Sequence, residues 1–176
     1  MATETITQTN LPAPFIETMG KTGNPKGLQA VLGILQSLEG TPIKTAALLY
    51  IDGTSVEDID PFLQYKVTDT LKTIVRSEKS NILRSIAVRA LITHAPSDST
   101  VEFIVESLKD PDPRVVANAI EGFGHVEYYG VSQLLEPFLD HENTRVRANA
   151  IIALWKYGHL EKKVRGCLRD MLHSEN

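Results

Sequence analysis

This chain has one cysteine, one tryptophan, only 6% aromatic residues and no large excess of either charge. Each shortage excludes something. Cys167, being alone, excludes an intrachain disulfide and suits a reducing compartment. No stretch approaches the roughly 18 apolar residues of a spanning helix, and the first 15 residues carry neither a basic nor an apolar leader region. The expectation is therefore no membrane span and a cytoplasmic location. A formal net charge of −4, from 18 basic and 22 acidic residues, supplies no general attraction to nucleic acid or anionic lipid. The five histidines, His94, His125, His141, His159 and His173, never come at close metal-ligand spacing, so neither a metal nor another cofactor is expected. What the chain does have is 42% apolar residues over 176 positions, ample for a core that buries roughly 70% of the unfolded surface.

It also has a repeat. Arg114-Val115-Val116-Ala117-Asn118-Ala119-Ile120 returns as Arg145-Val146-Arg147-Ala148-Asn149-Ala150-Ile151, six of seven identical, at an offset of 31 (145 minus 114). The flanks keep that offset, with Leu108 matched by Leu139, Asp112 by Asn143 and Phe123 by Leu154. Farther upstream, Ala87, Ala90 and Leu91 correspond to Ala150, Ala153 and Leu154 at an offset of 63, two periods plus one residue. A period in this range with helical apolar spacing marks a solenoid of helix pairs, because such a unit buries its apolar stripe only by stacking on its neighbours.

Along the chain, residues 1–26 are rich in Thr, Pro and Gly without sustained period and read as a flexible segment, with a short docked piece over Leu11 to Met19. Residues 27–176 read as one domain. Leu28, Val31, Leu32, Leu35 and Leu38 lie on one helix face, and Gly40 ends that helix. Ile43, Ala46, Ala47 and Tyr50 define the next, with Thr41 as N-cap and Pro42 in first position. Ile51 to Asp60 reads as a solvated linker, since its acids, Glu57, Asp58 and Asp60, lack the order of a calcium loop. Asp60-Pro61 starts a helix over about 62–75, paired with one over about 81–93. The third pair carries Val101, Ile104, Val105 and Leu108, then a corner, Asp110-Pro111-Asp112-Pro113, in which Asp112 caps the following helix. The fourth repeats it with Leu134, Leu135, Phe138 and Leu139, a corner at Asp140 to Asn143, and a helix over 144–157 ended by Gly158. A last helix over about 161–172 presents Val164, Leu168 and Met171 inward and shields the open end.

An acid at each corner (Asp110, Asp140), Arg-Val four or five residues on, small residues at close helix contacts (Ala117, Ala119, Ala148, Ala150, Ala153) and then Leu or Phe together resemble HEAT repeats, specifically the bacterial HEAT-like subclass shared with phycobilin lyases. The resemblance covers Asp98 to Gly158 most specifically and weakens toward the amino terminus. Trp155 stands where the family pattern has a glycine such as Gly124, which points to a partner in the terminal helix rather than a fifth standard repeat. The resemblance implies an all-α, right-handed superhelix of about four helix pairs plus a cap, whose second helices line the concave side.

On the third pair's second helix, Val115, Val116, Ala119, Ile120 and Phe123 face inward. The stripe left over is Arg114, Asn118, Glu121 and His125, and one repeat later Arg145, Asn149, Ile152 and Lys156. These two stripes are the candidate partner surface. The alternative is structural: the arginines pair with corner acids and the two asparagines form an interhelical hydrogen-bond ladder. Charge is uneven too. Between Arg145 and Arg169 lie seven bases (Arg145, Arg147, Lys156, Lys162, Lys163, Arg165, Arg169) against Glu161 alone, a local +6 (7 minus 1). This second, basic patch either docks an acidic or phosphate-bearing partner or is simply a solvated face.

Catalytic readings fail on their chemistry. Gly20-Lys21-Thr22 imitates the end of a phosphate-binding loop, but Phe15 stands where the loop needs glycine and no apolar strand precedes it. The HEAT-like deoxyhypusine hydroxylases hold two irons through His-Glu pairs, and the matching positions here are Ala117-Asn118 and Ala148-Asn149, which offer no such ligands. The function expected is a non-enzymatic protein-interaction scaffold or adaptor. Two alternatives remain: a phycobilin lyase-like role in chromophore handling, and nucleic-acid binding, which Glu121 and the acidic remainder of the chain disfavour.

Overall fold

The computed structural model describes residues 27–174 apart from 38–39, 56–58, 96–97, 127 and 159. The expected N-terminal segment 1–26, Leu38, the acids Glu57 and Asp58, and His159 lie outside the described residues. Elsewhere the corners set the pattern. Asp60 Oδ1 accepts the amides of Phe62 and Leu63 at 3.0 and 3.1 Å, Ser80 Oγ that of Leu83, Asp112 Oδ1 that of Arg114 at 2.9 Å, and Asn143 Oδ1 those of Arg145 and Val146. Each side chain satisfies amides that a helix start leaves without partners.

These caps open α3 (Pro61–Ser77), α4 (Asn81–His94), α6 (Pro113–Gly122) and α8 (Thr144–Lys156). The others are α1 (Leu28–Gln36), α2 (Thr41–Asp52), α5 (Asp98–Ser107), α7 (Val131–Leu135) and α9 (Glu161–Ser174), and no strand occurs among the described residues. Two corners are also tied from inside their helices. Arg84 Nη1 donates to the carbonyls of Glu78 and Lys79 at 2.9 and 3.0 Å, and Arg147 Nη1 to those of His141 and Glu142 at 2.8 and 3.2 Å. Donor and acceptors are each separated by 63 positions (147 minus 84, 141 minus 78, 142 minus 79), the offset seen among the alanines.

Contacts between Cα atoms divide the molecule into two compact units, one ending at Ala95 and the other comprising the elements from α5 onward. In the first, α1 packs on α2, α3 on α4, and the second helices α2 and α4 lie side by side. Leu28, Leu48, Tyr50, Ile51, Leu71 and Leu91 fill its core. In the second, α5 packs on α6, the second helices α6 and α8 adjoin, and α9 covers α8. Val115, Ile120, Phe123, Leu135, Leu139, Val146 and Leu154 are buried there. Side-by-side second helices require small residues, and Ala47, Ala87, Ala117, Ala119 and Ala150 are fully buried.

Several details differ from expectation. Gly40, not Thr41, precedes the first turn of α2, and no side chain caps it. The connection after α2 is not wholly solvated, since Thr54 and Ile59 are buried and Thr54 Oγ1 donates to the Tyr50 carbonyl at 2.7 Å. In α5 Phe103 is buried and Val105 only half-buried. The fourth pair's first helix stops after five residues and continues as a 3₁₀ turn, Glu136–Asp140. Pro137 explains this, because it has no amide for the Gln133 carbonyl and its ring collides with an α-helical turn there. In α9 the inward stripe is Val164, Cys167 and Met171, while Leu168 is 44% exposed. Both spacings fit a helix, and only packing against α8 and the 3₁₀ turn chooses between them.

Candidate functional site

Four side chains of α8 and the residue after it lace that helix to α6. Arg145 Nη2 donates to Asn118 Oδ1 at 2.8 Å, and Asn149 Nδ2 to the Ala117 carbonyl at 2.8 Å. Lys156 Nζ donates to the Gly124 carbonyl, and the Tyr157 hydroxyl lies between the carbonyls of Phe123, at 2.5 Å, and Val126. The last three carbonyls sit at and just beyond the end of α6, where acceptors have no partner within the helix. One repeat therefore finishes the hydrogen bonding of the repeat before it.

These rungs sort the expected contact stripe. Arg114 folds back on its own corner, with Nε and Nη2 3.0 and 2.9 Å from the two oxygens of Asp112. Asn118 is 5% exposed and therefore no surface contact residue. Periodicity on α6 alone could not place it, because α5 covers one flank of α6 and α8 the other. Arg145 and Glu121 remain exposed, 3.9 Å apart, and His125 is exposed. Asn149 is half-buried, Lys156 is exposed, and Ile152 is 65% exposed. Glu121, Gly124, His125, Asn149, Ile152, Ala153 and Lys156 line a shallow groove of about 270 Å³ between the two helices. Five of the eight stripe residues thus share one depression, whereas Arg114, Asn118 and Arg145 do not line it.

The second, basic patch is split by the geometry of α9. Lys163 and Arg165, two residues apart, point about 200° apart around the helix. Lys163 pairs with Glu136 of the 3₁₀ turn at 3.0 Å, whereas the Arg165 guanidinium lies 5.5 Å from the centre of the Trp155 ring and 3.8 Å from Glu161. Arg147 is engaged with corner carbonyls, and Lys162 and Arg169 are exposed. Trp155, 52% exposed, sits one turn beyond Ile152. Sequence reasoning placed the partner of Trp155 in the terminal helix without naming Arg165, and it missed the roles of Tyr157 and Arg84. The second match at offset 63 was the signal that could have found Arg84.

Two other depressions are present. One of about 300 Å³ is lined by Leu139, Asp140, Arg147, Cys167, Asp170 and Met171. The other, of about 210 Å³ in the first unit, includes Leu32, Gly33, Tyr65, Lys66 and Asp69. Among the described residues no group of three or more His, Cys, Asp and Glu side chains is placed to share a metal, and no helix is long and apolar enough to cross a membrane.

Comparison with known proteins agrees with the repeat lattice. No curated protein matches the chain. Among solved structures, an engineered protein from the Northeast Structural Genomics Consortium aligns with a TM-score of 0.53 over 89% of this chain and 68% of its own, at 15% identity, a likeness of fold alone. The sequence pattern of HEAT repeats matches residues 68–155 and again 101–176, a range that holds the corners at Ser80, Asp112 and Asn143, the second helices α4, α6 and α8, and the terminal helix. With its all-α solenoid architecture, the chain belongs to the HEAT repeat family.

Proposed function

We propose that the protein is a non-enzymatic scaffold or adaptor that holds a protein partner on the exposed face of α6 and α8. HEAT repeats form helical scaffolds that typically mediate protein interactions, and the groove around Ile152 carries the reading here. Ile152, 65% exposed beside a depression, and Trp155, 52% exposed one turn on, together offer apolar surface to a partner. Small-molecule sites run from roughly 300 to 1,000 Å³ and enclose most of their ligand. An open groove of about 270 Å³ suits one or two side chains of a partner chain better.

The arrangement also favours binding over catalysis. Asn149 and Lys156 already donate to backbone carbonyls, so their positions are set before any partner arrives. Holding a surface rigid in this way lowers the ordering cost of association. The test is affinity capture from native lysate by the unaltered protein, by Ile152→Asp, and by Ile82→Asp, an exposed position on α4. A partner held by the first and third but lost by the second supports this face, and equal capture by all three removes it. Replacing Arg145 and Asn149 by Ala is expected to weaken capture while leaving the helical circular dichroism signal in place.

A further inference from the structure

We propose that the partner segment taken by this face is acidic and carries an apolar anchor, a statement that rests on the docking reading above and adds the chemistry of the occupant. Two exposed apolar side chains, Ile152 and Trp155, stand one helical turn apart on α8. Their neighbours are mostly cationic. Lys156 adjoins both, Arg145 lies two turns back on the same helix, and Arg165 covers the Trp155 ring.

Two acids are nearby, each beside a cation, and Glu121 lines the groove itself. Glu121 lies 3.9 Å from Arg145, and Glu161 lies 3.8 Å from Arg165. Lys156 spends one of its three donors on the neutral carbonyl of Gly124, a contact that leaves its charge uncompensated, and it has no carboxylate partner among the described residues. A basic peptide would bring like charge against Lys156 and Arg165 while stripping water from Ile152. An acidic peptide would place carboxylates on the spare Lys156 donors and the exposed Arg165 edge, and an aliphatic or aromatic residue in the groove would cover Ile152. The remaining bases do not contribute directly, since Lys163 is held by Glu136 and Arg147 by its corner.

Trp155, the only tryptophan in the chain, reports on the site directly. Random twelve-residue peptides displayed on phage would be selected on the full-length protein and counter-selected on Ile152→Asp. The expected pool is richer in Asp and Glu than in Lys and Arg and contains at least one Leu, Ile, Phe or Trp per peptide. A tryptophan-free member of that pool is expected to shift Trp155 emission on binding. Lys156→Glu and Arg165→Glu should each weaken it by roughly three- to tenfold. The melting temperature of each variant separates lost binding from lost folding, and Arg165, which makes no backbone hydrogen bond to α6, guards against a folding defect in the Lys156 variant. A neutral or basic pool, or no enrichment, overturns the acidic occupant. Loss of a lysate partner with Ile152→Asp would still uphold the docking face, so the two ideas fail separately.

Discussion

His94 shows how much one side chain at a helix end can control. It is 1% exposed, and its Nε2 lies 2.5 Å from the Ile51 carbonyl, so that nitrogen carries the proton and donates. Its Nδ1 is buried without a partner among the described residues. Burial lowers the His94 pKa from its ordinary value of 6.5, against smaller opposing effects from the Ile51 hydrogen bond and the Asp52 charge. The unfolded chain therefore takes up a proton near pH 6.5 that the folded chain refuses until lower pH. Stability from this residue is complete above that value. It falls as pH drops through the window between the unfolded and the lowered folded pKa, by at most about 1.4 kcal/mol per pH unit. Urea unfolding at pH 7.5 and 5.5 is expected to show this loss, and His94→Gln, which keeps a donor toward Ile51, is expected to reduce it. Equal pH dependence in both proteins would contradict the account. His94 and Tyr157 occupy matching positions 63 apart, and each reaches a carbonyl near the end of the preceding second helix. The chain uses a titrating group at one and a phenol at the other.

At the scale of the element, the second helices were legible in the sequence and the first helices less so. In the third and fourth pairs the second helix has its start marked by Asp or Asn, its close contacts by alanine and its stripe by Val, Ile and Leu, all local features that the repeat doubles. The first helix of the fourth pair looked equally regular by apolar spacing, yet Pro137 turns half of it into 3₁₀ helix. The interhelical ladder was legible only as an alternative, because whether Asn118 meets solvent depends on α8, a neighbour in space and not in sequence. Ile152 could be placed on the contact stripe, but the groove beside it required both helices. The close approach of α6 and α8 yields a direct prediction. Ala119 and Ala150 are fully buried, so Ala119→Leu or Ala150→Leu inserts three carbons where no space is available. Each is expected to cost about 1 to 3 kcal/mol in denaturant unfolding. Asp112→Ala removes one cap acceptor and the Arg114 pair, and a loss of about 1 kcal/mol is expected, mostly from the cap, since Arg114 is exposed.

For the whole molecule, the question is which charge a partner meets. The chain carries −4 overall but +6 between residues 145 and 169, so the remainder carries −10 (−4 minus 6). An acidic segment approaching from a distance is repelled by the total, and the same segment beside Ile152 and Trp155 is attracted by Lys156 and Arg165, the part of that excess which faces it. Salt decides between them, because the Debye length is about 30 Å at 0.01 M and about 8 Å at 0.15 M. If the net charge governs encounter, added salt screens a repulsion and the association rate with an acidic peptide rises. If the residues around Ile152 and Trp155 govern it, added salt screens an attraction and the rate falls. Stopped-flow measurement of Trp155 emission between about 0.05 and 0.3 M salt reads the sign directly, over a range where the Debye length is shortening through about 10 Å. We expect the rate to fall, and to fall less steeply in Lys156→Glu, because that substitution reverses a groove-lining cation that makes no ion pair among the described residues. A rising rate in both proteins would mean that the distant acids outweigh the patch, and that any partner of this face is selected by its apolar anchor and not by its charge.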